Sequence, residues 1–253
     1  MVIAVVNQKG GVGKTTTAVN LSASIAVSER KTLIIDVDPQ CNTTSGLGIL
    51  YNGLHAHMYH VLINKKKIKD VIKKTQVPYL FIAPSHPQLG EAEIDLLDMD
   101  RREHVLDKVL ERPRADYKYI FIDCPPSPGL LTINSLIASD FVIIPLQCEY
   151  FALEGLSLLL KTIDIIRRRY NPRLQILGIL LTMFDRRTSL SYKIMEEIKN
   201  YFDDGALFET VIPRNVRLAE APSHGKPVML YDITSNGAES YLELASEVLG
   251  KLD

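Results

Sequence analysis

Residues 9–16 read Lys9-Gly10-Gly11-Val12-Gly13-Lys14-Thr15-Thr16, directly after the apolar stretch Val2-Ile3-Ala4-Val5-Val6. The chemistry such a run can do is to hold phosphate. The apolar stretch reads as a short strand, the glycines as a tight turn and Thr15 as the opening of a helix. Successive backbone N–H groups then line a concave nest, and the helix N-terminus adds partial positive charge. Gly10, Gly11 and Gly13 let the backbone approach phosphate oxygens without a side chain in the way. Lys14 can reach the β- and γ-phosphates of a nucleotide, and the Thr15 hydroxyl can ligate Mg²⁺. The common spacing of this motif is missed at one place. Gln8 stands where its first glycine would be, and a second lysine, Lys9, opens the loop.

Two further apolar runs end in carboxylates. Leu33-Ile34-Ile35-Asp36-Val37-Asp38-Pro39-Gln40 carries two aspartates one residue apart, and Pro39 stops regular structure. Strand alternation sends Asp36 and Asp38 to one face. There one carboxylate can organise water around Mg²⁺ while the other orients an attacking water. In-line positioning of the nucleophile is most of what a protein contributes to phosphoryl transfer. Alone the segment is ambiguous, because Asp and Pro are ordinary turn residues. Tyr119-Ile120-Phe121-Ile122-Asp123-Cys124-Pro125-Pro126 has the Walker-B pattern, and Asp123 is placed to hold Mg²⁺ through water.

Apolar runs and helical stretches alternate along the chain. Strands are predicted over 2–6, 32–36, 80–83, 119–123, 141–145 and 176–182, and helices over 15–27, 101–111, 130–138, 152–170, 190–201 and 237–251. Several strands are continuously apolar, as central parallel strands buried on both faces are. The alternation predicts an α/β fold: a doubly wound, mostly parallel sheet flanked by helices, with ligands at the carboxyl ends of the strands. No repeat or Pro/Gly/Ser linker divides the chain, so a single domain over 1–253 is expected. The lysine-rich stretch 65–74 reads as a solvated helix and loop. Hydrophobic residues make up 46% and charged residues 23%, which excludes the disordered and membrane-spanning classes. Met1 leads straight into the first strand, so no leader and a cytoplasmic location are expected. A net charge of −1 means that any nucleic-acid contact must come from a local patch. Cys41, Cys124 and Cys148 form no C-x-x-C pair, and reduced thiols are expected. The histidines, His57 and His60 included, are expected at the surface, and Tyr150 and Phe151 in core or dimer packing.

The phosphate loop K-G-G-x-G-K-T-T resembles the deviant form found in the ParA/MinD/nitrogenase-iron-protein group of P-loop NTPases. The D-x-D-P-Q segment ending at Gln40 is similar to the switch of ParA proteins. Residues 146–155 and 220–227 resemble the chromosomal ParA/Soj proteins specifically, and the resemblance runs from residue 2 to about 250. It implies an ATPase with ATP and Mg²⁺ as cofactors. The loop 9–16, Val12 and Thr16 included, would hold the phosphates, and Thr15, Asp36 and Asp123 would serve the metal. Asp38 would be the residue critical for hydrolysis. The positions matching Met183, Pro213 and Asn215 enclose the adenine in such proteins, with Pro213 on the base face and Asn215 at its edge.

The same resemblance implies an ATP-dependent sandwich homodimer in which Lys9 touches the phosphates bound by the other subunit. The dimer would coat nucleoid DNA without sequence preference, until a ParB-type partner stimulates hydrolysis and release. Arg187 and Arg217 are the foremost DNA candidates, with Arg186, Arg214 and Lys226 beside them. Relatives usually carry Gly at the position of Cys41. A cysteine there would stiffen the switch, since Gly adopts positive φ easily and Cys seldom does. No membrane association is expected. A MinD-like positioning ATPase, the alternative, would want a basic amphipathic C-terminal helix, and the polar face of 241–251 is acidic.

Overall fold

The computed structural model describes residues 1–149, 151–202 and 205–252. Tyr150 therefore lies outside the described residues. Seven strands form one sheet in the order β3-β4-β2-β5-β1-β6-β7. They are β1 (Val2–Val5), β2 (Thr32–Asp36), β3 (Lys73–Lys74), β4 (Leu80–Ala83), β5 (Tyr119–Asp123), β6 (Phe141–Gln147) and β7 (Gln175–Thr182). All pairings are parallel except β3 with β4. The helices are α1 (Lys14–Ala26), α2 (Asn42–Gly46), α3 (Met58–Leu62), α4 (Leu89–Asp95), α5 (Val105–Leu110), α6 (Pro113–Asp116), α7 (Leu130–Ile137), α8 (Ala152–Arg169), α9 (Ser189–Tyr201), α10 (Val216–Glu220), α11 (Val228–Tyr231) and α12 (Asn236–Leu252).

The central strands are buried along their whole length, which explains why they are continuously apolar rather than alternating. Alternation still divides their side chains between two cores. Val2, Ala4, Leu33, Ile35, Ile120 and Ile122 face one layer, built with α3–α5 and α7–α9. Ile3, Val5, Ile34 and Phe121 face the other, built with α1, α11 and α12. The doubly wound sandwich is thus the direct result of strands that are apolar on both faces. It aims the carboxyl ends of β1, β2, β5 and β7 at one edge, where the motif residues cluster.

Sequence and structure differ where long-range contacts intervene. The helix expected over 101–111 begins as a 3₁₀ turn at Arg102–His104, because Arg101 takes a left-handed φ of 51°. The lysine stretch contains the short antiparallel edge strand β3. Its exposed Lys73 and Lys74 are the kind of charged residues that protect a sheet edge against pairing with another chain. β6 runs through Pro145 to Gln147; its register with β1 ends at Ile143, so Pro145 falls beyond the end of that ladder. His57 is buried rather than at the surface. Its ring stacks on His86 at 4.3 Å and meets His60 at 4.3 Å. Burial, then its two histidine neighbours, pushes its pKa down to about 4, so a neutral imidazole occupies the site at neutral pH. Phe151 is not in the core, being 66% exposed.

Gly178 sits beside a register shift between β6 and β7. A Cβ there would lie 2.6 Å from the buried ring of Phe208. Gly178→Ala is therefore expected to destabilise the protein by about 1–3 kcal/mol through overpacking. A urea midpoint lowered at unchanged m-value is the check; an unaltered midpoint would mean that the ring can retreat.

Candidate functional site

The phosphate loop leaves β1 and is pinned at its root by Asn7. The Asn7 Nδ2 donates to the Pro145 carbonyl at 2.7 Å, and its Oδ1 accepts from the Lys9 N–H at 3.0 Å. Gly11 and Gly13 take φ of 76° and 88°. A Cβ on Gly13 would find only ordinary contacts with Thr182, so backbone conformation rather than space demands glycine there. Helix α1 starts at Lys14 with no side-chain cap and no acidic residue in its first turn. Its leading N–H groups and dipole are thus left for an external anion. Lys14 is buried, and its ammonium donates to the Lys9 carbonyl at 2.9 Å. Burial lowers its pKa, partly offset by Asp123 and Asp38 nearby. Lys9 extends away from the loop and pairs with Glu149.

Two strand-end aspartates, Asp36 and Asp123, and Asp38 two residues beyond β2 gather beneath this loop in different surroundings. Asp123 is fully buried. Its Oδ2 accepts from Thr15 Oγ1 at 2.8 Å and from Thr43 Oγ1 at 2.7 Å, while its Oδ1 is buried with no partner among the described residues. Burial holds its carboxyl above the ordinary aspartate range. An orphaned carboxylate oxygen beside a threonine hydroxyl at a phosphate loop fits a divalent cation. Among the described residues no three His, Cys, Asp or Glu converge on a metal position. A cation here would therefore draw its remaining ligands from phosphate and water, the habit of Mg²⁺.

Asp36 does not line the cavity, and it does not share a strand face with Asp38 as alternation implied. The strand ends at Asp36 and the chain turns back, so that the Asp38 N–H donates to Asp36 Oδ1 at 3.1 Å. Asp36 Oδ2 accepts from both the N–H and the hydroxyl of Thr44, at 2.9 and 2.6 Å. Burial, then the neighbouring Asp123, raises its pKa. Asp38 reaches the cavity wall, with Oδ1 accepting from the Gln40 N–H at 2.9 Å. Cys41 follows with φ 58°. The position does require a left-handed residue, and the cysteine adopts that conformation at a cost of about 1–2 kcal/mol. The Cys41 N–H donates to Asp38 O at 3.0 Å, and its carbonyl accepts the Ser45 N–H at 2.9 Å.

The cavity above these groups has a volume of about 480 Å³. It is lined by residues of the phosphate loop with Asp38, Gln40 and Asn42, and by Met183, Pro213, Arg214, Asn215 and Tyr241. The structure thus brings residues of loop 9–16 together with Met183, Pro213 and Asn215. Asn215 Oδ1 accepts from the Arg217 N–H at 2.8 Å and caps α10, which leaves its Nδ2 hydrogens for a ligand. Thr182, whose hydroxyl donates to the Val12 carbonyl at 2.8 Å, ties β7 to the phosphate loop. Thr43, Thr182 and Tyr241 carry no local sequence signal. Only the sheet order and the packing of α12 on α1 bring them to the site.

The basic candidates are mostly engaged with carboxylates. Arg187 makes two bonds to Asp185, at 2.9 and 2.8 Å. Arg217 bonds Glu220 at 2.9 Å and pairs with Asp232 at 3.1 Å. Arg186 and Arg214 are exposed with no ion pair among the described residues, and Lys226 is half-buried.

A model of the AAA domain family matches residues 1–176. The chromosome partitioning protein ParA of Myxococcus xanthus is 52% identical over 248 residues, covering 98% of this chain and 87% of that protein. The sporulation initiation inhibitor protein Soj of Bacillus subtilis is 54% identical over 247 residues, 98% of this chain and 97% of its own length. Among solved structures, the cobyrinic acid a,c-diamide synthase of Mycobacterium smegmatis with bound ADP and magnesium superposes with a TM-score of 0.86 at 33% identity, covering 98% of this chain and 93% of that one. A putative plasmid partition protein from Borrelia burgdorferi bound to AMPPNP gives 0.81 at 27% identity, covering 100% and 99%.

Proposed function

The chain belongs to the ParA/Soj family of partitioning P-loop ATPases, and we propose that it couples ATP hydrolysis to non-specific binding of duplex DNA in the nucleoid. The observation that carries the reading is the buried, unpartnered Asp123 Oδ1 beside Thr15, directly under an uncapped helix N-terminus. A site built this way wants a polyphosphate and its cation.

ATP enters with its phosphates on loop 9–16 and its base between Met183, Pro213 and Asn215. Thr15 and Asp123 would hold a Mg²⁺ ion, which when bound would supply positive charge to the phosphate oxygens. Asp36, with both oxygens already engaged, supports the site from behind. Lys14 exchanges the Lys9 carbonyl for β/γ-phosphate oxygens. Asp38, at the cavity wall, orients the attacking water. Lys9 leaves Glu149 to reach the phosphates held by a second copy, which makes dimerisation follow ATP. A ParB-type partner then accelerates hydrolysis, and the ADP form lets go of DNA. The family's named members support the partition role. The apolar side of α12, through Tyr241, Leu244, Ala245 and Val248, is buried within the protein, so that helix does not offer the apolar face which membrane docking needs.

The testing experiment is fluorescence anisotropy of a random-sequence duplex, titrated with protein in Mg-ATP and in Mg-ADP across a salt series. Binding in ATP alone, falling with salt and indifferent to sequence, is expected. No binding in either nucleotide would overturn the DNA part of the reading; absence of ATP turnover even with DNA and partner would overturn the whole. Arg187→Ala, with ATP affinity unchanged, should weaken binding and lower the log–log salt slope by roughly 1 for each phosphate contact removed. An unaltered slope would leave Arg187 as the partner of Asp185 only.

A further inference from the structure

We propose that Ser85 is a positioning residue for hydrolysis, acting through Asp38; the proposal rests on the role given to Asp38 above. Ser85 lies in the loop after β4, far from every motif that the sequence singles out. Its hydroxyl donates to the Asp38 carbonyl at 2.7 Å. Its N–H donates to Thr44 Oγ1 at 2.9 Å, and that hydroxyl donates to Asp36 Oδ2 at 2.6 Å. Asp36 Oδ1 accepts from the Asp38 N–H at 3.1 Å. The four residues close a hydrogen-bonded ring around the backbone of Asp38, and all four are buried.

The donor order in this ring is forced. Thr44 Oγ1 accepts from a backbone N–H, so its single proton goes to Asp36. The Asp38 carbonyl accepts, so the Ser85 proton goes there. Both the N–H and the carbonyl of Asp38 are thereby held. Pro39 fixes the next φ, and Gln40 holds Oδ1. Only Oδ2 of Asp38 has no partner among the described residues, and it is the atom left for a water. The far end of the strut is rigid as well. Ser85 stands between Pro84, whose carbonyl accepts the Met58 N–H at 2.9 Å, and His86, which stacks on His57. A rotation or shift of the 38–39 peptide would move the Asp38 carboxylate without disturbing the phosphate loop, which is anchored separately through Asn7 and Thr182. Loss of the Ser85 hydroxyl should therefore act on turnover and spare ATP binding.

The test is a double-mutant cycle on the full chain, reading kcat and KM for ATP with duplex DNA present, together with the affinity for a fluorescent ATP analogue and the melting temperature. Ser85→Ala should lower kcat by about tenfold or more, because small misplacements of a positioning group are costly, with KM and analogue affinity within twofold of wild type. In an Asp38→Ala background the same change should cost nothing further, as groups acting as one unit are non-additive. Thr44→Val, which breaks the ring from its other side at conserved shape, should reproduce the kcat loss and replaces Ser85→Ala if that variant does not fold. Full turnover in Ser85→Ala or Thr44→Val overturns the proposal, as does an equal Ser85→Ala loss with and without Asp38. Wild-type turnover in Asp38→Ala would instead overturn the role of Asp38 itself, which separates the two failures.

Discussion

Lys14→Ala should bind Mg-ATP at least a hundredfold more weakly than the wild type while melting at nearly the same temperature. The ammonium is buried at the base of the phosphate loop, where desolvation already lowers its pKa. Among the described residues its one hydrogen bond is to the carbonyl of Lys9. On binding, that bond is exchanged for charge-assisted bonds to phosphate oxygens, each worth about 1.5–3 kcal/mol. Two such bonds correspond to roughly a hundredfold or more in affinity. Stability changes little because the substitution relieves a desolvated charge and leaves one carbonyl to cavity water. Calorimetric titration with Mg-ATP beside a thermal melt is the check. Affinity within threefold of wild type would show that the backbone nest alone holds the phosphates.

Asp38→Ala is expected to separate binding from chemistry in the opposite sense. The carboxylate lines the cavity, and among the described residues its only side-chain hydrogen bond is Oδ1 to the Gln40 N–H, so it bonds neither the phosphate loop nor the Thr15–Asp123 pair. Its removal leaves the nucleotide contacts in place and takes away the group that orients water, a loss of about 10²–10⁴ in rate for a positioned acid–base group. ATP then accumulates unhydrolysed, and the dimer and its DNA complex persist. Single-turnover hydrolysis and size-exclusion chromatography in ATP test both halves. Hydrolysis at the wild-type rate would place the water-orienting group elsewhere.

Much of this was legible in the residues because the rules involved act over a few positions. The strand, glycine turn and helix of residues 2–26 are contiguous. The positive φ of Gly11 and Gly13 and the open N-terminus of α1 follow from local sterics and hydrogen bonding. Continuous apolar runs at 32–36 and 119–123 announce strands buried on both faces, and they end in Asp36 and Asp123. The left-handed conformation at Cys41 was not legible in the residues themselves; only the family resemblance, in which relatives usually carry glycine there, pointed to it.

The tertiary structure decided the division of labour among those groups. By placing β5 between β2 and β1 it set Asp36 opposite Asp123 in the sheet register, buried both, and left Asp38 alone at the cavity wall. It supplied Thr43 to Asp123 across 80 residues, Thr182 to Val12 across 170 and Tyr241 to Thr17 across 224. It also brought Asp232 to Arg217, and buried His57 against His60 of α3 and His86 of the loop after β4. Spacing along the chain determines what a residue can offer to a ligand. Which of its atoms are already engaged depends on the order of strands in the sheet, because burial leaves each polar atom either a distant partner or none.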